Sequence, residues 1–191
     1  MNKRGAIIAI SAPSGTGKTS IVKRIINEIP GLVFSVSATT RKKRENEKDG
    51  IDYFFISEAE FAEKIKKNEF VEWEKVYDYY YGTFKSVIEE NISKGKSVIL
   101  EVDVKGALSI KKIYPEADLI YVIPPSHDEL TRRLKNRKTE NDTDLRKRLE
   151  RAIMELSIKD KFDYFVVNKD LEKAISDTKS LINNILNKEN N

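Results

Sequence analysis

Short apolar runs alternate with amphipathic segments along most of the chain. Each run is brief, rich in isoleucine and valine, and bounded by polar or turn residues, as is typical of strands buried on both faces of a sheet. The runs occupy residues 6–10, 32–34, 98–104, 119–123 and 164–167. The segments between them repeat apolar residues every three or four positions, which predicts helices. The pattern therefore predicts an α/β fold with a five-stranded parallel sheet flanked by helices.

Two stretches interrupt this alternation. Residues 36–83 contain most of the tyrosines and predict a small α+β insertion. Residues 137–143 form a polar gap between two helical patterns and predict a mobile flap within a helical lid. We therefore expect one domain over residues 1–191, with an insertion and a lid on a common core. The expected boundaries are 1–35, 84–124 and 160–191 for the core, 36–83 for the insertion and 125–159 for the lid.

Two sequence signatures predict helix starts in these stretches. Ser57 precedes Glu60 by three residues, and Ser126 precedes Glu129 in the same way. Each pair is a capping box, in which the serine hydroxyl accepts a backbone N–H of the first helical turn. The first helix should run to about Asn68.

The composition is that of a soluble globular protein. Of 191 residues, 39% are hydrophobic and 35% are charged, and the net charge is +4. No apolar run approaches the ~20 residues that cross a bilayer. The absence of cysteine excludes disulfides and thiolate metal sites. We expect a cytoplasmic protein with no membrane partner and no secretory signal.

The strongest chemical motif follows the first predicted strand and opens the first predicted helix. It consists of Ala12, Pro13, Ser14, Gly15, Thr16, Gly17, Lys18, Thr19 and Ser20. Strand, glycine-rich turn and helix in this order are typical of a P-loop, whose backbone N–H groups surround nucleotide phosphates. Lys18 would then reach the β- and γ-phosphates of a bound nucleotide, and the Thr19 hydroxyl would hold Mg²⁺. The first glycine of the usual pattern is Ala12 here.

Further motifs, taken together with the P-loop, resemble the guanylate kinase family. They lie at residues 11–20, 35–41, 44, 50–53, 69–73, 80–83, 100–103, 133–134, 137, 148 and 166–168. Their joint order and spacing cover the chain nearly end to end. The resemblance implies a P-loop kinase core, a GMP-binding insertion at residues 36–83 and a helical lid.

The resemblance also implies particular ligands for GMP. Those implied for its phosphate are Ser37, Arg41, Arg44, Tyr53 and Tyr81. Guanidinium forks and hydroxyls suit a dianionic phosphate. Glu72 and Thr83 would bind the base, whereas Glu101 and Asp103 would face GMP and the water shell of Mg²⁺. The family more often has aspartate at the position of Glu101.

Guanine chemistry accounts for the implied roles of Glu72 and Thr83. Guanine presents N1–H and a 2-amino group side by side, which one carboxylate can accept together, while a hydroxyl can donate to O6. Adenine lacks both donors, so Glu72 would be left unpaired beside AMP. A site of this kind can reject such an analogue by ~10⁴-fold.

Arginines around the predicted flap supply further positive charge. The residues implied to act on the transferring phosphoryl group are Lys18, Arg44, Arg137 and Arg148. Those implied to lie near ATP are Arg133 and Asn168. Those expected on a solvated helix surface are Arg132, Arg146 and Arg151.

The implied reaction is ATP + GMP = ADP + GDP in purine nucleotide metabolism, with Mg²⁺ carried by ATP. The attacking oxygen belongs to the GMP phosphate, which is largely dianionic at neutral pH because its second pKa is about 6. No general base is therefore required. The single histidine, His127, is accordingly expected to be structural.

Three alternatives remain open from the residues alone. The chain could be a P-loop kinase for another acceptor, such as AMP, dTMP or a small metabolite; whether a GMP kinase would also accept dGMP is open. It could be a guanylate-kinase-like module that binds peptides without catalysis. The basic run at residues 41–44 could bind nucleic acid, although acids and bases are interleaved along the chain, which usually only solvates a surface.

Overall fold

The computed structural model describes residues 4–76, 78–135 and 142–190. The strands are β1 (Ile7–Ser11), β2 (Leu32–Phe34), β3 (Ala38–Thr39), β4 (Phe54–Phe55), β5 (Phe70–Val76), β6 (Tyr79–Phe84), β7 (Ser97–Glu101), β8 (Asp118–Ile123) and β9 (Tyr164–Val167). The helices are α1 (Lys18–Glu28), α2 (Glu58–Lys66), α3 (Lys85–Ser93), α4 (Val104–Ile113), α5 (His127–Lys135), α6 (Asp142–Ser157) and α7 (Leu171–Asn190), with a 3₁₀ turn at Lys159–Lys161.

Five parallel strands form the central sheet, in the order β2-β7-β1-β8-β9. Strand β1 lies in the middle, where Ile8 pairs with Ile99 of β7 and with Asp118 of β8. The predicted five-stranded parallel sheet is therefore confirmed. Because parallel strands end at the same edge, the loops that follow β1 and β7 lie side by side.

Helices cover both faces of this sheet. Ile8 packs in one buried cluster with Ile25 of α1 and Ile182 of α7. Ala9, on the opposite face of β1, packs in a second cluster with Ile110 of α4. Every residue of β1 is buried. This two-sided burial explains why the strand is a continuous apolar run rather than an alternating one.

Strand β7 is shorter than the apolar run that predicted it. It ends at Glu101, whereas the run continues to Val104, the first residue of α4. The difference arises at Asp103, whose side chain accepts the Gly106 N–H at 2.7 Å and caps α4. The cap satisfies a backbone donor that the helix start would otherwise leave unpaired, and the chain turns into the helix there.

A second, small sheet lies within residues 38–84. Its four strands have the order β4-β3-β6-β5, and they pack with α2 around Phe61 and Phe70. The Ser57 hydroxyl accepts the Glu60 N–H at 3.1 Å, which confirms the predicted start of α2. The helix ends at Lys66, two residues before Asn68, whose φ is 56°. Asparagine tolerates this left-handed conformation after a helix.

Helices α5 and α6 pack on each other through Leu130, Leu134 and Ala152. Ser126 accepts the Glu129 N–H at 3.1 Å and caps α5, as its sequence predicts. Residues 136–141, which include Arg137 and most of the predicted flap, lie outside the described residues. Within the described ranges, no helix combines the length and apolarity that a bilayer crossing requires.

Candidate active site

Residues 12–17 form the loop between β1 and α1. Gly15 and Gly17 both have φ of 88°, a conformation that costs glycine little. Space also requires these glycines, because a Cβ at Gly17 would lie 2.6 Å from Asn168 Nδ2 and one at Gly15 would lie 2.9 Å from Leu134 Cδ2. Ala12 is buried and has no positive φ, so alanine fits where the usual pattern has glycine.

The N-terminus of α1 is open toward a cavity. Its cap residue, Gly17, offers no side chain to the first backbone N–H groups. Unpaired donors and the helix dipole make such an end a site for anions. This loop cavity has a volume of about 400 Å³. It is lined by residues 12–20, Glu74, Val76, Glu101, Asp103, Arg148, Arg151 and Glu155.

A wide cavity of about 1090 Å³ adjoins the loop cavity. The residues that line both cavities are Lys18, Thr19, Glu74, Val76, Glu101, Asp103 and Arg148. Of the predicted GMP ligands, those that line the wide cavity are Ser37, Arg44, Tyr53, Glu72, Tyr81, Glu101 and Asp103. The two cavities therefore meet at the tip of the P-loop lysine, between the central sheet and the small sheet.

Lys18 lies at this junction. Its ammonium donates to the Val102 carbonyl at 2.6 Å and lies 4.0 Å from Glu101 Oε1. Burial lowers the pKa of Lys18, and the carboxylates of Glu101 and Asp103 oppose that effect. An enclosed cation of this kind attracts an incoming phosphate strongly.

Thr19 and Glu101 bring two oxygen atoms together beside Lys18. The Thr19 hydroxyl donates to Glu101 Oε1 at 2.5 Å. A hydroxyl and a carboxylate are hard oxygen donors of the type that Mg²⁺ prefers. The donor chemistry at the junction of the two cavities therefore fits Mg²⁺ accompanied by nucleotide phosphates.

Arg41 is held by Glu47, a residue that the sequence reasoning missed. Its two terminal nitrogens donate to the Glu47 carboxylate at 2.7 and 3.0 Å, and the Arg44 N–H donates to the same group at 2.8 Å. The hydrogen bond from Arg41 is the main reason that the pKa of Glu47 falls to about 2. Glu47 lines the wide cavity, whereas Arg41 lies behind it, with its guanidinium 5.6 Å from the Tyr53 ring centre.

Glu72 is enclosed in the wall of the wide cavity. Strands β5 and β6 pair Glu72 with Thr83, whose hydroxyl donates to Glu72 Oε1 at 2.5 Å. The other carboxylate oxygen faces Gly106, where a Cβ would lie only 3.0 Å away. Burial raises the pKa of Glu72 to about 7, and the Thr83 hydrogen bond only partly opposes this. The structure thus brings together the two residues predicted to bind the guanine base.

Asp103 and Glu74 form a carboxyl pair next to Glu72. The hydrogen bond between them is the main reason that the pKa of Glu74 is raised. Burial acts to raise the pKa of Asp103, but the hydrogen bonds from Glu74 and the Gly106 N–H, together with the charges of Arg151 and Lys18, outweigh burial, so that pKa is lowered. Arg151 donates to both carboxyls. Its side chain is exposed, as the sequence predicts, and it also lines the loop cavity.

Arg148 of the lid and Asn168 of the core contact the P-loop, and Arg133 of the lid contacts Asn168. Arg148 donates to the Ser14 hydroxyl at 2.8 Å and lines both cavities. Asn168 is buried and donates to the Thr16 carbonyl at 2.6 Å. Arg133 donates to Glu129 at 2.7 Å and to the Asn168 carbonyl at 3.0 Å, and it lines neither cavity. In this structure Arg133 therefore supports Asn168.

The fold and the loop together define a P-loop nucleotide-binding protein with a second cavity beside its phosphate site. The family model described as guanylate kinase matches residues 4–185. A guanylate kinase of Thermotoga maritima is 48% identical over 179 residues, which cover 94% of this chain and 86% of that protein. One of Caldanaerobacter subterraneus subsp. tengcongensis is 43% identical over 95% of this chain and 88% of its own length. The chain belongs to the guanylate kinase family.

A solved structure agrees with the assignment. The crystal structure of guanylate kinase from Anaplasma phagocytophilum superposes with a TM-score of 0.77 at 29% identity. The match covers 96% of this chain and 87% of that one. The likeness extends over nearly the whole chain, as the sequence resemblance also does.

Proposed function

We propose that this protein transfers the γ-phosphoryl group of ATP to GMP, with ATP in the loop cavity and GMP in the wide cavity. The observation that carries the proposal is the junction of the two cavities at Lys18, with the buried Glu72–Thr83 pair in the wall of the wide one. With ATP and GMP bound in these cavities, the γ-phosphate of ATP and the phosphate of GMP would meet beside Lys18 and Arg148.

The P-loop accounts for the donor. Backbone N–H groups at the start of α1 and the ammonium of Lys18 would bind the β- and γ-phosphates. Asn168, which buttresses Gly17 from the side, would lie near adenine. Thr19 and Glu101 would hold Mg²⁺ together with the ATP phosphates. Mg²⁺ bound in this way neutralises negative charge on the phosphate oxygens.

Burial and hydrogen bonding account for the choice of guanine. Ionised Glu72 in an enclosed site is costly unless donors pair with it. N1–H and the 2-amino group of guanine supply two such donors, while Thr83 can turn its hydroxyl toward O6. AMP would leave the Glu72 carboxylate without these partners, and the buried charge would oppose its binding.

The acceptor phosphate would bind among Ser37, Arg44, Tyr53 and Tyr81 at the other end of the wide cavity. Arg41 lies behind this group in an ion pair with Glu47, so it would bind the phosphate by exchanging that partner. The arrangement orients one phosphate oxygen toward the γ-phosphoryl group of ATP. Because that oxygen is already anionic, alignment and charge neutralisation suffice for transfer.

Arg148 would neutralise charge on the transferring group, since it lies between the cavities and already contacts the P-loop. We assign the same role to Arg137, which lies outside the described residues, and a supporting role near ATP to Arg133. The insertion at residues 36–83 and the lid at 125–159 would close over both nucleotides and exclude water. Because ATP and GMP are small cytoplasmic metabolites, we place the protein in the cytoplasm, without a nucleic-acid or membrane partner.

An acceptor panel tests the proposal. ADP release should be measured with ATP and Mg²⁺ in the presence of GMP, dGMP, AMP or dTMP. We expect turnover with GMP to exceed that with AMP by ~10³-fold or more, because a buried polar group is left unpaired in the AMP complex. Lys18→Ala, which removes the ammonium from the junction, should lower turnover by ~10²-fold or more while the protein stays folded.

Three results would contradict the proposal. A preference for AMP or dTMP would make the chain a kinase for another acceptor. The absence of ADP release with every acceptor, combined with tight binding of a peptide partner, would make it a binding module. Affinity for oligonucleotides that falls steeply with salt would instead indicate a nucleic-acid site at the basic loop.

A further inference from the structure

Arg151 connects three separate parts of the fold. It lies on α6, and its Nη2 atom donates to Glu74 Oε2 of β5 at 3.2 Å and to Asp103 Oδ2 at 3.0 Å. Its Nε atom donates to Glu155 Oε1, one turn further along α6, at 2.8 Å. One guanidinium therefore ties the lid helix to the small sheet and to the loop between β7 and α4.

The partners of Arg151 lie in the site itself. Glu74 and Asp103 line both cavities, and Arg151 and Glu155 line the loop cavity. Arg151 is 46% exposed at its side chain, whereas the Glu155 side chain is only 14% exposed. Glu155 thus holds the Nε end of the guanidinium, and Nη2 donates to the two carboxyls across the cleft. A guanidinium group that is already held by one partner loses less conformational entropy when it binds further partners.

Charge explains why a cation is needed at this place. Glu72 and Glu101 face the same junction as Glu74 and Asp103, while Lys18 provides positive charge from the P-loop side. Lys105 of α4 lies 3.7 Å from Glu74, but its side chain is 81% exposed. A solvated ion pair of that kind contributes little. Arg151 is better enclosed and contacts both members of the carboxyl pair.

We propose that Arg151 is a positioning residue that latches the lid helix α6 to the small sheet through Glu74 and orients Asp103 toward the acceptor nucleotide. The latch rests on the proposed function insofar as GMP is that nucleotide. It acts through its carboxyl partners, whereas the roles given to Arg137 and Arg148 are contacts with the transferring phosphoryl group. Loss of the latch should therefore lower mainly kcat/KM for the acceptor nucleotide.

Steady-state kinetics test the latch with matched variants. Arg151→Ala should lower kcat/KM for GMP by about tenfold and change KM for ATP by less than about twofold, since the carboxyls that it orients face the acceptor. Glu74→Gln should cause a similar loss. The loss in the double variant should be smaller than the product of the two single losses, because both variants remove the contact between Arg151 and Glu74. Arg151→Lys, which keeps the charge without the fork, should recover part of the loss.

Two controls remove a nearby cation without removing the latch. Arg146→Ala removes an exposed arginine from the same helix, and Lys105→Ala removes the exposed partner of the same Glu74. Both should stay within about twofold of the parent protein. The latch is wrong if the loss of kcat/KM for GMP in the Arg151→Ala and Glu74→Gln double variant equals the product of the two single losses. It is also wrong if Arg146→Ala lowers kcat/KM for GMP as much as Arg151→Ala does.

A distance measurement tests the latch without reference to activity. Because the chain has no cysteine, Ala62→Cys on α2 and Met154→Cys on α6 introduce unique sites for spin labels. Both residues are exposed. In the nucleotide-free protein, Arg151→Ala should broaden the distribution of distances between the labels, and Arg146→Ala should not. An unchanged distribution for Arg151→Ala would overturn the latch even if the protein phosphorylates GMP, and a broadened one would support it even if the acceptor panel failed.

Discussion

Glu72 shows how one residue can combine an unfavourable environment with a specific task. Burial raises its pKa to about 7, so near neutral pH its carboxyl is only partly ionised in the free protein. In the proposed complex the guanine donors would pair with the charged form, and binding should therefore draw the proton off. The free-energy cost of burying this carboxylate would then contribute to the preference for GMP over AMP, because only a base with two adjacent donors offsets the cost.

This gives a prediction for pH dependence. A carboxyl with a raised pKa is protonated below that pKa, so the affinity for GMP should fall as pH decreases below about 7. Calorimetric titration of GMP in buffers of different ionisation enthalpy should show proton release near about pH 6.5 and almost none near about pH 9. Glu72→Gln should abolish the release near pH 6.5, apart from the part due to the GMP phosphate itself. Equal release by both proteins would place the titrating group elsewhere.

Glu72→Gln, which should weaken GMP binding, should increase the stability of the nucleotide-free protein. In the folded protein the pKa of Glu72 rises from 4.5 to about 7, which corresponds to about 3 kcal/mol of destabilisation above pH ~7 and none below pH ~4.5. Denaturant unfolding of nucleotide-free Glu72→Gln should therefore show greater stability than the parent at about pH 8 and little difference at about pH 4.5. The acceptor panel should meanwhile show reduced preference for GMP over AMP. Greater stability of the parent at pH 8 would contradict the assigned pKa.

At the scale of elements, α4 connects the central sheet with the wall of the wide cavity. Asp103 caps its N-terminus, and Gly106 in its first turn donates to Asp103 and leaves room for Glu72. The helix therefore sets the positions of two carboxyls that line this cavity while it packs on the central sheet. Small changes in this first turn should alter binding without unfolding the protein.

Gly106→Ala tests this function of α4. The added Cβ would lie 3.0 Å from Glu72 Oε2 and 3.2 Å from Asp103 Oδ1, so the carboxylates must shift by a few tenths of an ångström. KM for GMP should rise several-fold, and KM for ATP should stay nearly constant. Alanine favours helix by about 0.8–1 kcal/mol over glycine, so the melting temperature should not fall. Lys105→Ala, at the neighbouring exposed position, is the control; a loss of stability in Gly106→Ala without a change in KM for GMP would contradict this role.

At the scale of the whole molecule, the two cavities form one continuous cleft. They share Lys18, Glu101 and Arg148, and they are bounded by the central sheet, the small sheet and α6. No single element contains a complete site. The reaction therefore depends on how the three parts are held together, which is the role that we assign to the Arg151 latch.

A linked ligand tests the continuity of the cleft. One molecule with adenosine and guanosine joined by five phosphates should occupy both cavities and bind at least ~10²-fold more tightly than GMP, because the second contact becomes intramolecular. It should compete with both ATP and GMP. A molecule with adenosine at both ends should bind more weakly, since Glu72 would lack its partners. Competition with ATP alone would show that the cavities are not used together.

Local chemistry explains what could be predicted. The parallel sheet follows from apolar runs buried on both faces, the P-loop from glycine spacing between a strand and a helix, and the starts of α2 and α5 from serine caps. The pairing of Glu72 with Thr83 could be expected only because the resemblance to the family covered both. Two interactions carried little or no sequence signal: Glu47 lies in a charged loop, and the partners of Arg151 are distant in the chain.

The sequence by itself determined the succession of strands and helices along the chain, the phosphate loop and the types of residue available for catalysis. These features depend on near neighbours and on periodicity. Only the tertiary structure decided which charges meet. Arg41 pairs with Glu47, Arg133 supports Asn168, and Arg151 bridges Glu74 and Asp103. Coulomb energy and desolvation depend on distance and burial in the folded chain, and the spacing of charges along the sequence specifies neither.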